Sequence, residues 1–195
     1  MDRAMNPMMD SMVLRALVAA DRRASYLRLS GGFPVPLAGM IYWLILAGAG
    51  QLLDFKGWLM VAVWGSGLIF PLALLLAKLF NCHFIGDRTA VTNVLLPAFI
   101  SMLLFWPVLA ASLSISPELA PLILAIGMSG HWPIIGWTYD RVGLYAGHAL
   151  IRALITTLIW FWLPDARLTL LPLSVAILYG LTVLAILMDV RRLRD

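Results

Sequence analysis

Arg141, Tyr145, His148, Arg152 and Thr156 follow one another at spacings of four, three, four and four residues. At 3.6 residues per turn this puts all five on one stripe of a helix. The residues between them are mostly Leu, Ile and Ala. A guanidinium, an imidazole and a phenol on one face of an apolar helix can hold an anion or a polar molecule, or bond a neighbouring helix. Arg152 stands about ten residues into the stretch, about 15 Å along its axis. No Asp or Glu lies midway along any apolar stretch of the chain. A cation at that depth needs water, backbone carbonyls or an anionic ligand to balance it.

A second group precedes the stripe. The run from Gly127 to Gly136 holds Ser129, His131, Trp132 and Pro133 among three glycines. Pro133 has no N–H, so the carbonyl of Ser129 is expected to lose its helical partner. His131 lies about 12 Å and His148 about 9 Å from the same end of two antiparallel helices, hence at similar depth. Transporters use such broken helices as binding sites, which makes Arg152, His148, His131, Tyr145, Arg141 and Ser129 a candidate ligand set. The alternative is structural: Arg152 or His148 bonds the freed carbonyl and locks the kink.

Catalysis ranks below both readings, and no catalytic, metal or cofactor residue is assigned. No pair of carboxylates falls within the apolar stretches for acid–base work. His83 sits beside Cys82 in a polar break, away from His131 and His148, and metal sites need convergent ligands. Asp87 and Arg88 read with His83 as a solvated loop. Cys82 is the only cysteine, so no disulfide can form within the chain.

The elements that position these residues belong to a membrane. Of 195 residues 62% are hydrophobic and 12% charged, at a mean hydropathy of +0.93, whereas a soluble domain carries about a quarter charged residues. Six apolar stretches, about 33–53, 57–80, 92–113, 118–139, 142–163 and 168–189, are each long enough to span a bilayer. The predicted fold is an all-α bundle of six transmembrane helices, residues 33–189, with an N-terminal amphipathic helix in 1–32 and a basic tail at 190–195. With the N-terminus inside, eleven basic residues fall in inner segments, Lys56 and Arg167 outside, and Arg152 within a span. That asymmetry places both termini in the cytoplasm of a bacterial inner membrane. The basic residues form no dense block, so nucleic acid is not an expected partner. The first long apolar run starts near Phe33 behind five arginines, which is not the form of a cleavable signal peptide.

Before Ser30, Val13, Leu17, Ala20, Ala24 and Leu27 recur on one helical face, Arg15 and Arg22 lie opposite, and Ser11 is the expected N-cap. Such a helix either lies on anionic lipid or docks across the cytoplasmic mouth of the bundle. Trp58, Trp137, Trp160 and Trp162 are expected at the interfaces, and Trp43, Trp64, Trp106 and Trp132 deeper.

Two segments carry a resemblance: Gly67-Leu-Ile-Phe-Pro-Leu-Ala-Leu in the second stretch and Gly130-His-Trp-Pro in the fourth. They resemble a group of small bacterial six-helix membrane proteins defined as a domain of unknown function. The size and layout are also similar to the substrate-binding components of energy-coupling-factor vitamin transporters. The functional expectation is a small transporter or ligand-binding membrane subunit for an anionic or polar molecule. The alternative is a scaffold acting through a partner membrane protein or a second copy, and a membrane enzyme acting on lipid is third.

Overall fold

The computed structural model describes residues 7–82, 89 and 91–195, and every regular element among them is helical. Arg3, His83, Asp87 and Arg88 lie outside the described residues. Helix α1 (Pro7–Arg28) leads through a tight turn at Ser30–Gly32 into α2 (Pro34–Leu52). There follow α3 (Phe55–Ser66), α4 (Ile69–Leu79), α5 (Leu95–Met102), α6 (Phe105–Ile115), α7 (Ala120–Gly127), α8 (Trp132–Thr138), α9 (Val142–Trp162) and α10 (Arg167–Arg194).

Among the described residues five stretches are long and apolar enough to cross a bilayer: Ser30–Leu52, Thr92–Ile115, Pro117–Thr138, Val142–Trp162 and Pro164–Arg194. The stretch expected at 57–80 is not one helix. It is α3 and α4, bent by 50° at their junction, and counted as a pair it makes a sixth candidate.

Proline places the breaks. A proline at position i removes the bond to the carbonyl at i−4, so Pro71, Pro107 and Pro133 point back to Gly67, Leu103 and Ser129. The chain leaves the helix at those three residues, between α3 and α4, α5 and α6, and α7 and α8. The carbonyl of Leu103 is then taken by the Trp106 N–H and that of Ser129 by the Trp132 N–H, both at 3.1 Å. These are the shorter i→i+3 bonds that tighten helix ends. The Ser129 carbonyl thus loses its helical partner as expected, and it is the Trp132 N–H, not Arg152 or His148, that takes it. Pro172 behaves differently: α10 continues through it, and the carbonyl of Leu168 lies against α2. A Cβ added at Gly50 would sit 2.2 Å from that oxygen.

The contact between α2 and α10 is the most extensive in the bundle, with α9 packed beside α10. Trp43, Leu46, Leu124, Leu171 and Ile186 are buried around it. Trp58, expected at the interface, is fully buried and donates its indole N–H to the carbonyl of Leu46 at 3.1 Å. Trp64, expected deep, is 72% exposed. Helix α1 begins at Pro7, so Ser11 lies inside it and does not cap it. Its last turns are docked, with Tyr26 and Leu29 buried and Arg22 paired to Asp140 at 3.0 Å. Further back, Met12, Val13, Leu14 and Leu17 stand exposed.

Candidate binding site

Helix α9 turns its polar stripe inward and its leucines outward. Tyr145, His148, Arg152 and Thr156 are all buried, while Leu150 and Leu154 are exposed. The helix facing the stripe is α10. Arg141 pairs with Asp189 at 2.6 Å, His148 Nδ1 lies 2.8 Å from Thr182 Oγ1, and Arg152 donates to the Tyr179 hydroxyl at 3.0 Å. The positions run in opposite directions along the two helices, as antiparallel packing requires. Tyr145 reaches elsewhere and donates to the carbonyl of Gly31 at 2.6 Å. Gly31 adopts φ +63, and an added Cβ would lie 2.5 Å from Ile186, so only glycine suits that turn. Thr156 bonds back to the carbonyl of Arg152.

The six candidate residues thus separate into two zones. Arg141, at the bundle end, is engaged with Asp189, and its guanidinium lies 5.0 Å from the Tyr26 ring centre. Burial, reinforced by the Asp189 carboxylate, pushes the Tyr26 phenol above its ordinary pKa, so that group stays neutral. Ser129 donates to the carbonyl of Ile126 within its own turn. The inner zone holds His131, His148 and Arg152, with Tyr145 closing its lower side.

His131 and His148 are 6% and 3% exposed, so neither ring faces lipid. They flank Trp132 without forming a bonded pair. The Trp132 indole stacks on His148 at 3.9 Å and 12°, while the His131 ring tilts against Phe99 at 5.3 Å. Thr182 has one hydroxyl proton and gives it to the carbonyl of Leu178 at 2.8 Å. His148 Nδ1 therefore carries a proton and donates it, and Nε2 is the bare acceptor.

Arg152 is 0% exposed, and no carboxylate is among its partners. Its guanidinium lies 4.9 Å from the Trp43 ring centre and 5.3 Å from that of Tyr179. Only Nη1 is hydrogen-bonded. Nε and Nη2 have no partner, nor do Trp43 Nε1, Trp132 Nε1, His131 Nδ1 and His148 Nε2. A desolvated cation–π contact contributes about 2 kcal/mol, whereas removing one ion from water costs several kcal/mol after relaxation. Two rings and one phenol reduce that deficit without closing it. Buried polar groups in proteins are nearly always paired, so the unpaired Arg152 Nε and Nη2 and the two indole N–H groups mark a place for an acceptor.

A cavity of about 330 Å³ adjoins this cluster, lined by His131, Trp132 and Tyr179, by Ser66, whose hydroxyl donates to the carbonyl of Val63, and otherwise by apolar residues. That volume is at the lower end of ligand pockets, about 300–1,000 Å³. Arg152 does not line it but stands behind Tyr179. The phenol oxygen accepts from Arg152, which leaves its own O–H proton available to an acceptor in the cavity. Among the described residues no three His, Cys, Asp or Glu side chains converge as metal ligands.

Tyr179, Thr182 and Asp189 on α10 are the partners that the spacing argument on α9 does not name. Their spacing of three and seven on α10 is close to the four and seven of Arg152, His148 and Arg141 read backwards along α9. That match was the signal for a pairing face.

Residues 21–189 match DUF7010, a family of unknown function, and the chain belongs to that family. The expected resemblance to an uncharacterised family is correct, and it brings no activity with it. No curated protein and no solved structure matches the chain.

Proposed function

We propose that this family member is a multi-pass protein of a bacterial inner membrane that binds a small anionic molecule at Arg152, as a carrier or as a ligand-binding subunit. The observation that supports it is the fully buried guanidinium with two unpaired nitrogens and no carboxylate partner. Intramembrane cations persist where something local compensates them, and an anion in the adjoining cavity, beyond Tyr179, would balance the charge. Trp132 Nε1 and the Tyr179 hydroxyl add neutral donors, and the stacked aromatic rings hold them in place. No activity follows from this arrangement.

The test is the thermal midpoint of purified protein against a panel of organic carboxylates, sulfonates and phosphate esters, for wild type and Arg152→Lys. Lysine keeps the charge and loses the planar fork of donors. The expected result is a variant that folds but loses at least about tenfold in affinity, about 1.4 kcal/mol. Equal shifts in both proteins would place the anion elsewhere, and no shift by any anion would refute the reading.

A non-catalytic scaffold is the second reading, favoured by the close pairing of α9 with α10 and by the mostly apolar cavity. It expects no ligand response, and instead association with a second copy or another membrane protein.

The membrane arrangement belongs to the same proposal: six spans with α3–α4 as a bent second span, and both termini in the cytoplasm. The charge asymmetry supports it. Single cysteines at Lys56, Glu118 and Asp165 are expected to react with an impermeant reagent from the periplasm, and those at Arg23 and Arg191 only after permeabilisation. All five positions are solvent-facing or loop-borne, so labelling reads sidedness; the opposite pattern would reverse the orientation, and a mixed one would refute six spans.

A further inference from the structure

The cavity beside Tyr179 opens on the exposed apolar surface of the bundle, which the proposed membrane arrangement turns to lipid. Its rim is Phe70 on α4, Leu96 and Ile100 on α5, and Leu103 just beyond its end, which are 55%, 67%, 57% and 52% exposed. Helix α4 packs on α2 and α5 on α8, so each rim helix is held by a different neighbour. Between them runs an apolar cleft. Its inner wall carries three groups of another kind: His131, whose Nδ1 has no partner, Trp132, whose indole N–H has none, and Tyr179, whose hydroxyl accepts from Arg152. His131 and Trp132 are 6% and 3% exposed, so these unsatisfied atoms are enclosed.

A ligand matching both ends has an apolar tail and one anionic head. A short water-soluble anion would satisfy the donors and leave the apolar walls without a partner. A wholly apolar molecule would leave the indole N–H and the imidazole unpaired, at about 1–3 kcal/mol each. A two-chain lipid would exceed a cavity of about 330 Å³ and leave most of its bulk outside. We infer that the cleft between α4 and α5 admits a single-chain fatty carboxylate from the bilayer, its head at His131, Trp132 and Tyr179 and its tail along Phe70 and Leu103. The assignment rests on Arg152 being an anion anchor, since the positive charge behind Tyr179 is what favours a carboxylate over a neutral head.

The breaks make the cleft. Pro107 ends α5 at Met102 and Pro133 ends α7 at Gly127, so the turn Met128–His131 presents His131 towards the space that α5 leaves. Leu103 and the turn residue Met128 both line the cavity from these breaks.

The experiment uses the full chain in lipid nanodiscs with three probes: dodecanoate, dodecanol and acetate. Each is measured by thermal midpoint, and dodecanoate is repeated with a terminal diazirine to map the tail by crosslinking. Three proteins are compared: wild type, Arg152→Met, and Leu103→Trp, whose added bulk lies at an exposed rim and leaves the core intact. Wild type is expected to shift with dodecanoate well above dodecanol and not with acetate, and crosslinks are expected on the segment 96–103 several-fold above those on exposed Leu150 and Leu154. Arg152→Met is expected to lose the preference for dodecanoate over dodecanol, and Leu103→Trp to lose both responses and the crosslinks.

Equal shifts by dodecanoate and dodecanol in wild type and both variants, with even crosslinking, would overturn the inference as detergent-like partitioning. A shift by acetate that survives Leu103→Trp would keep the anion site and overturn the lateral route. No response to acetate or dodecanoate, with none to any other organic anion, would remove both.

Discussion

Replacing Gly50 by alanine is expected to destabilise the bundle strongly, while the same change at Gly48, two residues away, should be neutral or mildly stabilising. A Cβ at Gly50 would lie 2.2 Å from the carbonyl oxygen of Leu168 and 2.5 Å from its carbonyl carbon. Both atoms are backbone, so no rotamer change relieves the clash, and α2 and α10 must move apart. That interface is the most extensive in the molecule. Overpacking a core costs about 1–3 kcal/mol where side chains can adjust, so about 3 kcal/mol or more is expected here. At Gly48 nothing lies within 4 Å of an added Cβ, and alanine is favoured over glycine in a helix by up to about 1 kcal/mol. Thermal midpoints of the two variants in one lipid environment check the pair. Comparable losses at both positions would show that the clash at Leu168 is not what limits that helix pair.

This effect was half legible in the sequence. Ala47 to Gly50 reads as a surface for close packing, but a string of small residues does not say which of them meets the neighbour. The partner is set by Pro172, whose missing N–H frees the Leu168 carbonyl that faces Gly50. Proline had the same unread value elsewhere. The rule that frees the Ser129 carbonyl through Pro133 also acts at Pro71 and Pro107, and applied there it locates the bend between α3 and α4 and the break between α5 and α6. Trp58 and Trp64 show a different limit. They lie about a third of a turn apart on one helix, and composition cannot say which faces the bundle, because both sides of an apolar helix are apolar.

The stripe on α9 was legible for a firmer reason. Polar residues at helical spacing in an apolar segment cannot face lipid cheaply, so their inward direction follows from chemistry alone. What they meet does not. Asp189, Thr182 and Tyr179 receive Arg141, His148 and Arg152 only because α10 packs antiparallel to α9 in one register, and a register is a tertiary fact. The cavity is less legible still, since its walls come from α2, the end of α3, α4, α5, the turn before α8, the start of α8, and α10.

The second large effect concerns Arg152. If it were only a brace between α9 and α10, removing it would destabilise the bundle, because its hydrogen bond and its contacts with the Trp43 and Tyr179 rings would be lost and nothing would be gained in return. In the binding account Arg152 is itself the uncompensated charge, held for a ligand at a cost in stability. An apolar residue of similar length should then relieve the burden. Replacing buried charges by apolar side chains of similar volume often stabilises proteins by about 1–4 kcal/mol. Tyr179 would lose its donor, and with its own O–H still free that loss is at the lower end of about 1–3 kcal/mol. The balance favours a more stable protein that no longer binds.

The most direct measurement is therefore the thermal midpoint of wild type and Arg152→Met in the same lipid nanodiscs, without added ligand and then with the anion that most stabilises wild type. The account expects the variant to unfold at or above the temperature of ligand-free wild type and to respond to the anion no more than to its uncharged analogue. A variant that unfolds several degrees below ligand-free wild type, or one that still prefers the anion over that analogue, would contradict it.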